Sequence, residues 1–144
     1  MLAYSDFKME NIGSEKTIVY IIMQDEKSTY HPLVSAFIKQ CYEVLIGTAQ
    51  EYKGRLPIRT NFVLDEFANL PPISDMSNMI TAARSRNIRL NLIIQGAEQL
   101  SAQYGKETAE VIKGNCTNWF FLISKELQLL KDISELCGNT EVRT

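Results

Sequence analysis

Asp65 and Glu66 stand side by side at the end of an apolar run, Phe62-Val63-Leu64, and Pro71-Pro72 follows soon after. Paired carboxylates at such a point have a definite chemistry open to them. One can hold Mg2+, usually through water, and the next can orient and deprotonate an attacking water. Adjacent side chains on a strand point to opposite faces, so the strand must bend or end here if both acids are to serve one site. The plain alternative is that Asp-Glu marks where a strand reaches water. Gln95 closes a second apolar run, IRLNLIIQ. Its amide can bond a γ-phosphate or the attacking water; on its own it would read as a polar strand terminator. Arg84 and Arg86, in AARSRNI, follow a helical stretch. Guanidiniums there either offset a helix dipole at a solvated tip or reach a transferring phosphoryl group, often across a subunit boundary.

An acid pair behind an apolar strand has the form of a Walker B element of a P-loop nucleoside triphosphatase. The matching phosphate cradle is missing. No GxxxxGK[ST] occurs, and the seven glycines are isolated. Without that loop the chain by itself should neither bind ATP well nor hydrolyse it. Other conspicuous residues read as structure. His31 lies in STYHP with no partner at ligand spacing and suits a loop or helix start. Met76 and Met79 suit a core stripe. Trp119, Phe120 and Phe121 lie inside an apolar run and suit sheet core better than a base-stacking platform.

The elements that would position these residues follow from periodicity. Residues 1–16 are polar and mixed and form a lead-in. Residues 17–24, 59–66, 88–95 and 117–124 are short β-branched and aromatic runs, and the first is apolar on both faces, as in a buried parallel strand. Between them the pattern is helical. Residues 33–53 carry Leu33, Phe37, Cys41, Leu45 and Ala49 at steps of four, with Pro32 in the first turn and Gly54 as the stop. Ser74 or Asp75 can cap a helix over 75–84. Shorter helices are expected over 98–104, ended by Gly105, and 107–113, ended by Gly114. A last one covers 125–137, with Leu127, Leu130, Ile133, Ser134 and Cys137 near one face and Gly138 behind it. Four strands alternating with helices predict an α/β domain, a mostly parallel sheet with flanking helices. Ligands of such sheets sit at the carboxyl ends of the strands. There Gln24, Asp25 and Glu26, then Asp65 and Glu66, then Gln95, then Ser124 and Lys125 would gather.

Bulk properties narrow the class. The chain has 144 residues, 45% hydrophobic and 22% charged, which suits one folded domain. Fifteen basic residues against 17 acidic give a net charge of −2, so the basic footprint of a stand-alone nucleic-acid binder is lacking. Cys41, Cys116 and Cys137 are scattered, with no CxxC pair. That argues against structural zinc and for reduced, mostly buried thiols in the cytoplasm. No apolar run approaches a membrane span, and the N-terminal residues do not have the pattern of a signal peptide.

Taken together, FVLDEFANLPPISDMSNMITAARSRNIRLNLIIQGAEQLSAQYG resembles the type IV secretion coupling-protein family, the VirD4/TraG-like conjugative ATPases. The matching elements are Asp65-Glu66-Phe67-Ala68-Asn69, Pro71-Pro72, Arg84-Ser85-Arg86, Gln95, Gln99-Leu100 and Tyr104-Gly105. The flanks YIIMQDEKSTYHPLVSAFIKQCYEVL, VIKGNCTNWFFL and DISELCG resemble the neighbouring segments. The resemblance implies a RecA-like motor domain that forms a homo-hexamer at the cytoplasmic face of the cell membrane. It implies ATP and Mg2+ as cofactors, and as partners DNA with its relaxase or an effector protein, together with secretion-channel components. By position, Asp65 carries over as the Mg2+-holding Walker B acid, Glu66 as the catalytic one and Gln95 as the phosphate-sensing glutamine. Arg84 carries over as the trans-acting arginine, with Arg86 the second choice. The Walker A strand and the helical insertion of the family are missing. Residues 17–144 therefore read as the C-terminal, Walker B side of a partial RecA-like P-loop NTPase domain lacking its P-loop strand, inactive alone and with no nucleotide expected to bind tightly. Two other readings stay open: a non-catalytic interaction module of a secretion apparatus, or a part of another RecA-like DNA translocase or helicase.

Overall fold

The structure is a computed structural model and describes residues 8–23, 28–123 and 125–138. Helix α1 (Asn11–Ser14) is a single turn, and α2 (His31–Glu51) is the longest element. Strand β1 (Thr60–Leu64) leads through α3 (Met76–Ala83) to strand β2 (Ile88–Leu92). Helices α4 (Ala97–Tyr104), α5 (Lys106–Asn115) and α6 (Leu127–Cys137) follow. The strands are parallel neighbours, with Thr60 opposite Ile88 and Leu64 opposite Leu92. The molecule is thus mixed α/β, a parallel pair with flanking helices.

The core grows from the α2 stripe. Ile38, Cys41, Tyr42, Leu45 and Ala49 are buried at helical spacing, while Leu33, expected on that face, is 66% exposed. The Tyr42 hydroxyl donates to the Met79 carbonyl at 3.0 Å and fixes α2 against α3. Met76 and Met79 are core, as expected. His31 and Pro32 open α2, and Gly54 (φ 87°) follows its end, donating back to the Ala49 carbonyl at 2.7 Å. Asp75 stands at the cap position of α3 without a capping bond; its carboxylate instead accepts from Lys39 Nζ at 3.2 Å. Helix α5 runs through Gly114 to Asn115. The lead-in contributes Gly13, buried against Leu45 and Leu56, whose carbonyl accepts the Ile58 N–H at 3.2 Å.

Two of the four expected strands do not form within the described residues. Residues 17–23 and 117–123 have strand composition but take no ladder position; Gln24 and Ser124, their expected ends, lie outside the described residues, as do Asp25 and Glu26. Trp119, Phe120 and Phe121, expected in the core, are 39%, 94% and 40% exposed. The physical reason is that a strand exists only through its neighbour. β-propensity records fit to a pleated surface, and these runs have none beside them. The sheet is also covered on one side only. Along β1, Thr60 and Leu64 are buried while Asn61 and Val63 face outward, and along β2 Arg89 and Asn91 do the same.

Candidate functional site

Strand β1 ends at Leu64, one residue before the acid pair. Ile93, just beyond β2, then bonds twice. Its N–H donates to the Leu64 carbonyl, and its carbonyl accepts the Phe67 N–H, both at 3.0 Å. Asp65 and Glu66 are therefore looped out between two rungs on the same residue. The loop closes because Glu66 adopts the left-handed conformation, φ 47° and ψ 40°. That is uncommon for a residue with a long side chain and is the kind of local strain that clusters at functional sites. Both acids are exposed at the carboxyl edge of the sheet, so the requirement that the strand end here is met by an extruded turn.

The turn is fixed from several directions. The Glu66 N–H donates to Asp65 Oδ1 at 3.0 Å, and Asn69 Nδ2 donates to Glu66 Oε2 at 2.8 Å. Beneath it, Phe67 is fully buried and stacks on Tyr104 with ring centroids 5.5 Å apart and planes at 15°. The Ile73 N–H donates to the Tyr104 hydroxyl at 3.1 Å. Burial pushes the Tyr104 phenol up, and the Ile73 bond offsets part of this. Gln95 leaves β2 on the same edge; its N–H bonds Gln99 Oε1 at 3.4 Å and its side chain is exposed. Over the next residue, Gly96, lies the Glu126 carboxylate: a Cβ on Gly96 would come within 3.0 Å of Glu126 Oε2. Asn69, as the residue that orients Glu66, and Glu126, as a further carboxylate on this edge, are not assigned by spacing alone.

Arg84 is elsewhere. It opens the turn Arg84–Arg86 that feeds the amino end of β2. Five residues of strand at roughly 3.3 Å each put it about 16 Å along the sheet from the acids. The structure thus brings Asp65, Glu66 and Gln95 to one edge and Arg84 to the opposite one. Arg86 is half-buried and donates to the Gly54 carbonyl at 2.9 Å. Arg84 is exposed; its carbonyl accepts the Asn87 N–H at 3.3 Å, and its guanidinium makes no hydrogen bond or ion pair among the described residues. Behind both, Asn87 (φ 64°) accepts from Arg55 and Arg59 at 3.4 Å and donates to the Leu56 carbonyl at 3.0 Å, tying the entry loops together.

Among the described residues no group of three or more His, Cys, Asp or Glu side chains is placed to hold a metal ion. A lone exposed carboxylate such as Asp65 still suits Mg2+, which keeps most of its waters and takes its other ligands from substrate phosphates.

The profile of the family described as "TraM recognition site of TraD and TraG" matches residues 59–144, more than half of the chain, and includes every residue of this edge. The chain belongs to that coupling-protein family. Curated relatives agree. This coupling-protein chain is 28% identical to the type IV secretion system-coupling protein VirD4 of Bartonella quintana (strain Toulouse) over 138 residues, 96% of the chain and 21% of the relative. It is 27% identical to the VirD4 of Bartonella henselae (strain ATCC 49882 / DSM 28221 / CCUG 30454 / Houston 1), with the same shares covered. It is 26% identical to the conjugal transfer protein TraG of Escherichia coli over 149 residues, 96% of the chain and 23% of the relative. The chain spans about a fifth of the length of these relatives. No solved structure matches it. Among the described residues no helix is long and apolar enough to cross a membrane.

Proposed function

We propose that this chain is the Walker B side of a RecA-like coupling ATPase, residues 17–144 forming part of the motor domain. The observation that carries the reading is the extruded Asp65–Glu66 turn, anchored at both ends on Ile93 and set on the edge from which Gln95 also emerges. Asp65 would hold Mg2+, and the ion would neutralise phosphate charge when bound. Glu66, oriented by Asn69, takes the proton of the attacking water. Gln95 reports the γ-phosphate. Arg84, standing at the far edge, serves the site of a neighbouring copy in a homo-hexamer. Hydrolysis in the longer protein drives delivery of DNA with its relaxase, or of an effector protein, to a secretion channel at the cytoplasmic face of the membrane. The phosphate cradle must come from outside these 144 residues, so the isolated chain is expected to show no turnover.

The test is Glu66→Gln in a longer chain that carries the cradle. ATPase activity should fall by about 10²- to 10⁴-fold, the worth of a positioned base, with nucleotide affinity unchanged. Normal hydrolysis by that variant removes Glu66 from its role.

The family description favours a second reading, a surface that recognises a TraM-type protein. In that case partner binding by the chain survives Glu66→Gln unchanged, and the two readings separate in one variant.

A further inference from the structure

We propose that Tyr104 is a positioning residue that holds the Glu66 turn in register with Gln95, with α4 as the spacer between them. This rests on the reading of Glu66 as the base and adds a residue that acts through it. The left-handed conformation of Glu66 persists only while its surroundings over-determine it. Two backbone bonds do so locally. The Phe67 N–H donates to the Ile93 carbonyl at 3.0 Å, and the Asn69 N–H donates to the Glu66 carbonyl at 2.7 Å. Both depend on where Phe67 lies. Its side chain is fully buried, and its ring stacks on Tyr104 with centroids 5.5 Å apart.

Tyr104 also holds the far end of the same loop. Beyond Asn69 the chain runs Leu70-Pro71-Pro72-Ile73, and proline has no N–H to give. The Ile73 N–H is therefore the next donor after Leu70 that can tie the loop down. It donates to the Tyr104 hydroxyl at 3.1 Å. Ile73 is buried, so leaving that N–H unpaired would be costly. One side chain thus grips residues 67–73 at both ends, by its ring at one and its hydroxyl at the other. The helix that carries it starts at the second functional residue. Gln95 and Gly96 run directly into α4, the Gln95 N–H bonds Gln99 Oε1 at 3.4 Å, and Tyr104 is the last residue of the helix. Leu100, between them, is buried and seats the helix on the core. The eight residues of α4, at about 1.5 Å each, make a spacer about 12 Å long. With Gln95 at its head and the seat of Glu66 at its foot, α4 sets the distance between carboxamide and carboxylate.

Two variants separate the two grips. Tyr104→Phe keeps the ring and loses the hydroxyl; Tyr104→Leu loses both. Circular dichroism checks that each folds. In the 144-residue chain, the Ile73 amide should exchange with solvent about threefold to tenfold faster in Tyr104→Phe, the worth of one hydrogen bond. In Tyr104→Leu the Phe67 and Asn69 amides should speed up as well, by about the same factor for the lost ring pair. In a longer chain that carries the cradle, Tyr104→Leu should lower kcat by about tenfold to a hundredfold. Nucleotide affinity should stay unchanged, and Tyr104→Phe should recover part of the rate. Added to Glu66→Gln, Tyr104→Leu should cost nothing further, because the group it positions is gone. Phe67 and Asn69 amides as protected in Tyr104→Leu as in the native chain would overturn the proposal. So would equal losses of rate and affinity with and without the Glu66 carboxylate, which is what a tyrosine that only stabilises the fold would give. If Tyr104→Leu does not fold, Tyr104→Phe decides: its kcat should fall by about threefold at unchanged affinity, and a normal kcat overturns the proposal. Activity lost in Glu66→Gln but kept in Tyr104→Leu overturns the positioning alone. Normal hydrolysis in Glu66→Gln overturns the base reading and the positioning with it.

Discussion

Glu66 sits in a backbone conformation that costs an L-residue with a side chain roughly 1–2 kcal/mol, and glycine would escape that cost. Glu66→Gly should therefore leave the isolated chain as stable as before, or up to about 1 kcal/mol more stable, even after losing the exposed Asn69 bond, worth about 0.5 kcal/mol. Urea denaturation measures this. A clear loss of stability would mean that the carboxylate's contacts, not the backbone, decide the energy of the turn. At this scale the sequence was a good guide to which polar residues reach the carboxyl edge of the sheet and a poor one to their geometry. Asp65, Glu66 and Gln95 announce themselves by type and by place after an apolar run. The left-handed turn at Glu66 does not, because it is set by the two rungs on Ile93, a residue far along the chain that only the sheet brings alongside. Nor does Glu126, which reaches Gly96 only through the fold.

Helices were the legible elements, since their periodicity is written within one segment. The α2 stripe, the Met76 and Met79 stripe and the stops at Gly54, Gly105 and Gly138 all fall where spacing puts them. Strands were legible only in composition. Residues 59–66 and 88–95 found each other, whereas 17–23 and 117–123 have the same chemistry and no neighbour in the sheet. Helix α6 has its apolar positions at helical spacing and no buried residue, for the same reason. The lead-in hid a packing role that composition does not reveal. A Cβ on Gly13 would lie 2.6 Å from Leu56 Cδ2 and 3.0 Å from Leu45 Cδ2, both on buried side chains. Alanine is the better helix former by about 1 kcal/mol, yet overpacking costs about 1–3 kcal/mol, so Gly13→Ala should destabilise the chain by up to about 2 kcal/mol. Thermal or urea melts check it; a stabilising effect would mean that α1 is not docked on α2.

Seen whole, the molecule is polarised along its strands: carboxylates and Gln95 at one edge, Arg84 and the Asn87 network at the other. Under the proposed assembly this polarity predicts a particular pattern among defective copies of the longer protein. Glu66→Gln and Arg84→Ala proteins, each inactive alone, should recover measurable ATPase when mixed before assembly, because some junctions then join an intact acid edge to an intact arginine. No recovery at any mixing ratio would place the arginine's partner within its own chain or remove Arg84 from the site. The same geometry has a genetic meaning. In a cell making normal protein and one such defective allele, each defective copy would spoil one junction, so the activity lost would match the defective share. Under the proposed assembly, a sheet about 16 Å long would make two different lesions in one cell less harmful than two alike.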